Sequence, residues 1–443
     1  MGSPEAPRTD TAPPRHAGRL RISLPPALHY PAYRSFWLGM LAAVGGFQVL
    51  QFGQFWLIFQ LTESPLFLGY VGLANAVPAI SLNLVGGVVA DRFDRQRLIV
   101  VTQTMTVSLV FLLATLTLTN LVQVWHVLTI AVLAGAINAF NQPARQAIYP
   151  HLIDRKVMMS AVALNSSVWQ GTRVVAPAIA AVIIGLFNTA AAFYAAGALM
   201  LLFAVIVRML DVPKMTAART SSAAGDLLEG LKFIRRNSIF SFLIGMTFFN
   251  SFFGMAYVTQ MPVFAEDILG VGVGGQGVLL SVAGVGSLLV TVWIGSRATG
   301  FRRKGLVLIG GAVMTGLTLA AFALTAEHIG SFALAVVLMF ALGAFTSSYM
   351  ILIMSSRQML VPDRMRGRVM GFYGMTWNIM PLGGMYAGAL AGFVGVPTAI
   401  AIGGLLVSAF AMGPALLNSQ VRNLGAMLDR AESSRAAGGP AHP

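Results

Sequence analysis

Gly-Gly-Val-Val-Ala-Asp-Arg-Phe-Asp-Arg-Gln-Arg, residues 86–97, joins two long apolar stretches through a short basic turn. Each flanking stretch is near or above the ~20 residues that an α-helix needs to cross a bilayer core of ~30 Å. Part of the segment recurs at an offset of 208 residues: Gly87, Phe93 and Arg95 are matched by Gly295, Phe301 and Arg303. The pattern predicts a set of membrane helices that is built twice along one chain.

The composition of the chain supports a membrane protein throughout. Of its 443 residues, 56% are hydrophobic and only 10% are charged, and the mean hydropathy is +0.76. A soluble domain carries roughly 25% charged residues, because its surface faces water. The chain has no cysteine, which excludes disulfides, thiolate catalysis and cysteine-based metal sites. The composition therefore predicts an all-α membrane protein.

Twelve apolar segments are long enough to be spans. They run approximately Phe36–Leu61, Leu66–Ala90, Leu98–Leu118, Val124–Gln142, Met158–Ile184, Thr189–Met209, Ile239–Val263, Val273–Gly295, Leu306–Thr325, Ser331–Met354, Val369–Phe393 and Pro397–Leu417. We predict five regions: a cytosolic tail (1–34), a six-helix half (35–210), a cytosolic linker (211–238), a second six-helix half (239–417) and a cytosolic tail (418–443). Within the linker, Leu227, Leu228, Leu231 and Ile234 recur at helical spacing, which predicts a short amphipathic helix on the membrane face.

The basic residues indicate the orientation of the chain. The net charge is +14, and nearly all Lys and Arg lie in the tails, the linker and alternate loops. Basic loops stay on the cytosolic side, so both termini are expected in the cytosol. This distribution favours a topology signal over nucleic-acid binding. Arg173 is the one basic residue that the pattern places inside a span.

The 86–97 segment resembles the loop between spans 2 and 3 of the major facilitator superfamily. Gly87, Asp91, Arg92 and Arg95 match that signature, and Gln96 stands where the second basic residue is usual. The resemblance implies the twelve-helix major facilitator fold, working by alternating access. It also implies that Gly87 allows a close helix approach, and that Asp91 faces the start of span 11.

Further stretches are similar to the enterobactin-exporter-like branch of this superfamily: residues 61–69, 176–180 and 361–371. Members of that branch export drugs, siderophores and other amphipathic compounds. The usual Gly-Pro pair of antiporters in span 5 is Ala176-Pro177 here.

Residues that the sequence lacks limit the possible energy sources for transport. No Gly-Lys dipeptide occurs, so the chain has no Walker A phosphate loop and is not an ATP-driven pump by itself. No carboxylate lies inside a span, so a proton remains only a candidate coupling ion. The six His residues are scattered without metal spacing, and we expect no enzyme, metal or cofactor.

Candidate site residues are polar or aromatic side chains inside spans and basic or small residues at their ends. The substrate-binding candidates are Gln51, Gln54, Asn138, Trp169, Arg173, Asn250, Trp377 and Asn378; the gating candidates are Gly87, Asp91, Arg92, Arg95, Arg145 and Arg357. Buried amides also serve as contacts between helices, worth about 0.6 kcal/mol each. A structural Arg173 bonded to neighbouring carbonyls is the alternative to a functional one.

The sequence as a whole predicts a monomeric, multi-pass plasma-membrane transporter. We expect it to export a small amphipathic compound, coupled to proton entry. Because few charges lie in the spans, we expect an apolar cavity and a hydrophobic or cationic-amphipathic cargo. Uptake or lipid flipping by the same fold is an alternative, and a non-transporting scaffold or receptor is another.

Overall fold

The computed structural model describes residues 24–210, 223–296, 304–361, 365, 376, 379–418 and 421, and these residues form helices and short connections. The α-helices are α1 (Pro31–Thr62), α2 (Pro65–Arg92), α3 (Arg95–Leu118), α4 (Val124–Ile148), α5 (Met158–Leu186), α6 (Thr189–Met209), α7 (Ala223–Arg236), α8 (Ser238–Phe249), α9 (Ala256–Val263), α10 (Gly272–Ser296), α11 (Lys304–Ile329), α12 (Phe332–Leu360), α13 (Met380–Val394) and α14 (Val396–Leu417).

Eleven described segments are long and apolar enough to cross a membrane, and α13 is a shorter apolar helix. Hydrocarbon offers no hydrogen-bond partners, so backbone groups inside a bilayer must bond within their own helix. Helix starts carry local signals: Asp94 caps α3, Asn188 caps α6 and Asn237 caps α8 through side-chain oxygens that accept backbone amides. The chain is an all-α integral membrane protein. In the described part of the predicted linker, from residue 223 onwards, the structure has the helix α7.

Pairs of helices cross at close distance within each half, and the same crossing occurs in both halves. A Cβ atom on Gly135 of α4 would overlap the Asn75 carbonyl oxygen of α2. In the second half, a Cβ on Gly343 of α12 would overlap the Ala283 carbonyl oxygen of α10. Both members of this second pair follow the first at an offset of 208 residues, the offset found in the sequence. The two halves are therefore repeats in structure as well as in sequence.

The seventh span departs from the continuous helix predicted over Ile239–Val263. It consists of α8, a π-helical segment at Asn250–Gly254, α9 and a second π-helical segment at Phe264–Ile268. Pro262 lies inside α9 and has no amide hydrogen to donate to the preceding turn. Such π segments are uncommon and occur frequently at functional sites. This span is therefore longer and more irregular than hydropathy alone predicts.

The predicted boundary of the N-terminal tail at residue 34 falls inside α1. A 3-10 turn at Pro26–His29 precedes this helix, and both pack on the start of α5. The Tyr30 hydroxyl donates a hydrogen bond of 2.7 Å to Asp154, and this bond raises the pKa of Tyr30. Tyr33 and Trp37 donate to the carbonyls of α5. The beginning of the first span is thus fastened to the fifth.

Alanine at the repeated crossings should destabilise the protein. Gly135→Ala and Gly343→Ala each place a methyl group onto a neighbouring backbone carbonyl, and overpacking of this kind costs about 1–3 kcal/mol. We expect a lower melting temperature of the purified protein in detergent, measured by intrinsic fluorescence. Gly310→Ala is the matched control, because a Cβ there meets no atom within 4 Å. Equal melting temperatures for all three variants would contradict the crossing.

Candidate functional site

The two halves pack against each other at one end of the bundle. We name the ends by their loops: the Glu63 end, where α1 leads into α2, and the Arg95 end, where α2 leads into α3. A Cβ on Gly72 would lie 2.9 Å from the Pro381 carbonyl oxygen, and one on Gly69 would lie 2.8 Å from Met385. Helices α2 and α13, one from each half, are therefore in backbone contact towards the Glu63 end.

Helices α5 and α10 show where this contact stops. Along α5, one helical stripe comprises Ala163, Ser167, Gln170, Val174, Pro177 and Ala181. The last three contact α10, at Gly284 and Gly277. The first three, nearer the Arg95 end, are exposed. On α10, Leu288 is 43% exposed, one helical turn beyond Gly284. The halves thus separate beyond Val174, and the space between them opens at the Arg95 end.

A pocket lies between the halves. Its walls come from α1, α9 and α10, and the lining residues are Gln48, Gln51, Phe52, Phe55, Val258, Gln276 and Leu280. Gln276 is 1% exposed, and its Oε1 atom has no hydrogen-bond partner among the described residues. The structure therefore joins one predicted residue, Gln51, to a buried amide from the opposite half. Amide groups can donate and accept, and the phenyl rings offer an apolar wall.

Arg173 lies beside the point where the halves separate. It precedes Val174 on α5 and is half-buried. Tyr257 of α9, in the other half, is buried and precedes Val258, a lining residue of the pocket. Trp169, one turn earlier on α5, is 39% exposed. Arg173 therefore lies on the part of α5 where the contact with α10 ends.

Gln260 links the two halves at the Glu63 end. Its Nε2 atom donates 3.1 Å to the Pro65 carbonyl of α2 and 3.4 Å to the Gly384 carbonyl of α13. The side chain is fully buried, and its Oε1 atom lacks a partner among the described residues. One amide group therefore holds three spans together where the halves meet.

Asn250 begins the first π-helical segment and is 1% exposed. Neither its Oδ1 nor its Nδ2 atom has a hydrogen-bond partner among the described residues. The neighbouring aromatic side chains, Phe248, Phe249, Phe252 and Phe253, stack on one another and on Phe410 and Tyr386. These rings form packing contacts between the seventh, eleventh and twelfth spans. Asn250 is not one of the residues that line the pocket.

The polar residues of α4 and α1 divide between surface and interior. Asn138 is exposed, whereas Asn141 is buried and donates 2.7 Å to the Thr102 hydroxyl of α3. The Arg145 guanidinium lies 5.2 Å from the centroid of the Phe203 ring of α6. Gln54 is 4% exposed, and its Nε2 has no partner among the described residues. Arg145 therefore contacts its own half of the protein here.

The gating candidates at the Arg95 end differ in their surroundings. Among the described residues, a Cβ on Gly87 meets no atom within 4 Å, and its close helix approach stays a prediction. The neighbouring Gly86 does make a close approach, because its face of α2 meets the Ala139 carbonyl of α4. Arg95 donates to the Ala90 and Ala147 carbonyls, and Arg92 is exposed. Trp377 and Asn378 lie outside the described residues, as do the side chains of Asp91 and Arg357.

Three residues of this region were missed in the sequence, namely Gln276, Gln260 and Tyr257. Gln276 follows a glycine-rich helix start, and nothing in its neighbours distinguishes a lining residue from a loop residue. One feature of the sequence could have identified Gln260, since it is the only amide side chain in α9.

Gln96 stands at a position that is usually basic. Its side chain donates to the Val207 and Leu210 carbonyls and so caps the end of α6.

Comparison with known families decides the identity of this fold. A profile described as transmembrane secretion effector matches residues 23–436, which is nearly the whole chain. The chain belongs to this family of the major facilitator superfamily. It is therefore a membrane transporter and not an enzyme, and the scaffold alternative finds no support. The resemblance of residues 86–97 to the superfamily signature is thereby confirmed.

Two curated relatives of this transporter are named for what they carry. The chain is 25% identical to the staphyloferrin A transporter of Staphylococcus aureus over 254 residues, covering 55% of this chain and 61% of that relative. It is 21% identical to macrolide efflux protein A of Streptococcus pyogenes over 403 residues, covering 88% of this chain and 97% of that relative. The first match thus spans less than two thirds of its relative.

A solved structure confirms the fold of the transporter. It is the inward-facing crystal structure of a bacterial homologue of the iron transporter ferroportin. The TM-score is 0.66 at 15% identity, over 86% of this chain and 98% of that one. At this identity the likeness speaks for the fold alone, and it is the major facilitator fold that the sequence predicted.

Loss of the Gln260 amide should favour opening at the Glu63 end. Gln260→Met keeps the length of the side chain but removes both hydrogen bonds, including the one to Pro65 that crosses between the halves. The cysteine-free chain allows two single reporters, Ser167→Cys on the exposed α5 stripe and Ser281→Cys, whose Oγ is buried. We expect Gln260→Met to raise the maleimide labelling rate at position 281 several-fold and to lower it at position 167.

Thr315→Val is the control for this experiment, because its hydroxyl bonds only within α11, to the Gly311 carbonyl. It should leave both labelling rates unchanged. If Gln260→Met labels like the unsubstituted reporters, the bond from Gln260 to Pro65 does not hold the halves together.

Proposed function

We propose that this protein exports a small amphipathic compound from the cell by alternating access, coupled to proton entry. One observation carries the proposal. The two halves are in contact from the Glu63 end as far as Val174, and they are separated from Val174 to the Arg95 end, with an amide-lined pocket between them. A site between two repeats that is reached from one side is what a rocking transporter requires.

The basic residues orient this arrangement. Under the rule that basic loops stay inside, the Arg95 end faces the cytosol, so the described conformation is open to the cytosol. Export would then begin with entry of the compound from the cytosol or the inner leaflet. The relatives named for staphyloferrin A and for macrolide efflux support a cargo of drug- or siderophore-like size.

Few acidic residues are available for the proposed proton coupling. The described acidic residues closest to the bilayer lie at helix ends: Glu63, Asp91, Glu266, Asp267 and Glu327. Glu266 and Asp267 belong to the second π-helical segment at the Glu63 end. A proton entering from outside would meet these carboxylates first. Plasma-membrane location, cytosolic termini and a monomeric state belong to the same proposal.

Everted membrane vesicles test direction and coupling together. Vesicles containing the full chain receive a panel of drug- and siderophore-like compounds, with an acidic lumen or with a protonophore. We expect at least one compound to accumulate, and the accumulation to collapse with the proton gradient. Vesicles without the protein are the control. Accumulation in right-side-out vesicles instead would indicate uptake, and gradient-independent accumulation would rule out proton coupling.

Asp91 supplies a first mutational test. We predict that its carboxylate accepts hydrogen bonds from amide groups at the start of the eleventh span, near residues 366–369, and so favours the state closed at the Arg95 end. Asp91→Asn should keep its expression level and slow transport in the vesicle assay. Asp94→Asn is the control, because Asp94 only caps α3. Unchanged transport rates in Asp91→Asn would exclude the gate role.

Arg173 supplies a second test. A central arginine costs about 2.5–3.5 kcal/mol on translocon scales, so its retention needs an offsetting interaction. Pro177, four residues later, leaves the Arg173 carbonyl without its helical partner. We expect Arg173→Ala to abolish transport in a chain that still inserts and stays monodisperse, and Arg173→Lys to restore part of it. Normal transport by Arg173→Ala, or its loss from the membrane, would contradict a substrate-facing role.

A further inference from the structure

The pocket between the halves has three side-chain amides in its lining. Gln48 and Gln51 come from α1, and Gln276 comes from α10 of the opposite half. The Gln276 side chain is 1% exposed, and its Oε1 atom has no hydrogen-bond partner among the described residues. A buried carbonyl oxygen that lacks a donor is costly to keep. Gln276 therefore offers a bonding position to a donor that a ligand supplies.

The two walls of the pocket present their polar groups at different levels. Helix α1 runs towards the Glu63 end, whereas α10 runs away from it, so their lining residues follow one another in opposite order. On α1 the two amides come before Phe52 and Phe55, and on α10 Gln276 is the lining residue nearer the helix start. A compound in the pocket thus meets Gln276 towards the Glu63 end and the α1 amides towards the Arg95 end.

The described lining of the pocket carries no charged side chain. Besides the three amides it comprises Phe52, Phe55, Val258 and Leu280. Taking a charge out of water costs far more than taking out a neutral polar group, unless an opposite charge replaces the water. A carboxamide has a carbonyl oxygen and an NH2 group, so it can satisfy neutral donors and neutral acceptors. The lining therefore favours uncharged polar groups over ionised ones.

The Gln276 carboxamide is free to turn towards such a group. The terminal torsion of a glutamine side chain is broad and is not confined to one staggered well, so the turn costs little. The Oε1 atom gives up no hydrogen bond to a described residue when it turns. An N–H or O–H group of a ligand therefore gains a hydrogen bond at Gln276 without replacing one that this oxygen already makes.

We infer that the pocket selects an uncharged amphipathic compound by a hydrogen-bond donor that the Gln276 oxygen accepts. Gln48 and Gln51 donate to the neutral acceptors of the compound. Phe52 and Phe55 contact its apolar part. This inference rests on the proposed function, since it names the kind of compound that the transport site binds. It narrows the hydrophobic or cationic cargo expected from the sequence to uncharged compounds with an N–H or O–H group.

Four probes that share one fluorophore test the inference. N-methyldansylamide has one sulfonamide N–H group and N,N-dimethyldansylamide has none, whereas N-(2-aminoethyl)dansylamide adds an ammonium and dansylglycine adds a carboxylate. Dissociation constants are measured with the purified full chain in detergent, from the rise in dansyl emission. We expect N-methyldansylamide to bind about fivefold more tightly than the dimethyl probe, as one neutral hydrogen bond would give. Both charged probes should bind about tenfold more weakly than N-methyldansylamide.

Variants assign the donor preference to Gln276. Gln276→Met keeps the length of the side chain and removes the acceptor, so the dissociation constants of the two neutral probes should come to within about twofold of each other. Its melting temperature without ligand should equal or exceed that of the wild type, because the substitution removes a buried polar atom that lacks a partner. Gln146→Met is the matched control: it removes an exposed amide of α4 and should leave the fivefold preference unchanged.

Several results would overturn the inference. They are equal binding of the two neutral probes to the wild type, an unchanged preference in folded Gln276→Met, tighter binding of either charged probe, and no binding of any probe to the folded wild type. Unfolding of Gln276→Met would also contradict it, because the amide would then be needed for the fold. These measurements use no gradient, so donor selectivity together with uptake in vesicles would refute the proposed export alone.

Discussion

Backbone-to-backbone contact between helices is the constraint on which this structure depends. In lipid, apolar side chains gain nothing by leaving the solvent, so helices associate through van der Waals packing that small residues permit. Gly135 lets α4 approach the Asn75 carbonyl of α2, and Gly343 does the same for α12 at Ala283. The abundance of glycine, 47 residues in the chain, follows from this requirement. Such crossings pack the helices of each half closely together.

The same kind of contact between the halves has a different consequence. Gly72 lies against Pro381 and Gly277 against Pro177, so small residues and proline carbonyls form much of the seam at the Glu63 end. Contacts of this kind separate without leaving charges unpaired, which suits a seam that must open during transport. Gln260 is the polar exception, since its amide spans both halves.

Among the described residues, most of the buried polar side-chain atoms without a hydrogen-bond partner belong to the second half. Asn250 and Gln260 flank the centre of the seventh span, and Gln276 follows in the eighth. In the seventh span, π-helical segments replace regular helix on both sides of α9. In the first half Asn141 is satisfied by donating to Thr102, whereas the buried Gln54 Nε2 atom lacks a partner among the described residues. The two repeats share their crossings but differ in the chemistry they present to the inter-half space.

Sequence alone determined the membrane class, the spans, the repeat offset and the superfamily, because hydropathy and motif spacing are properties of contiguous segments. It could not show that Gly86 meets α4, since adjacent positions on a helix point about 100° apart and only the neighbouring helix decides which position is crowded. It named Gln51 and Arg173 but missed Gln276. Tertiary structure decided these points, because a lining residue is defined by what the opposite half places in front of it.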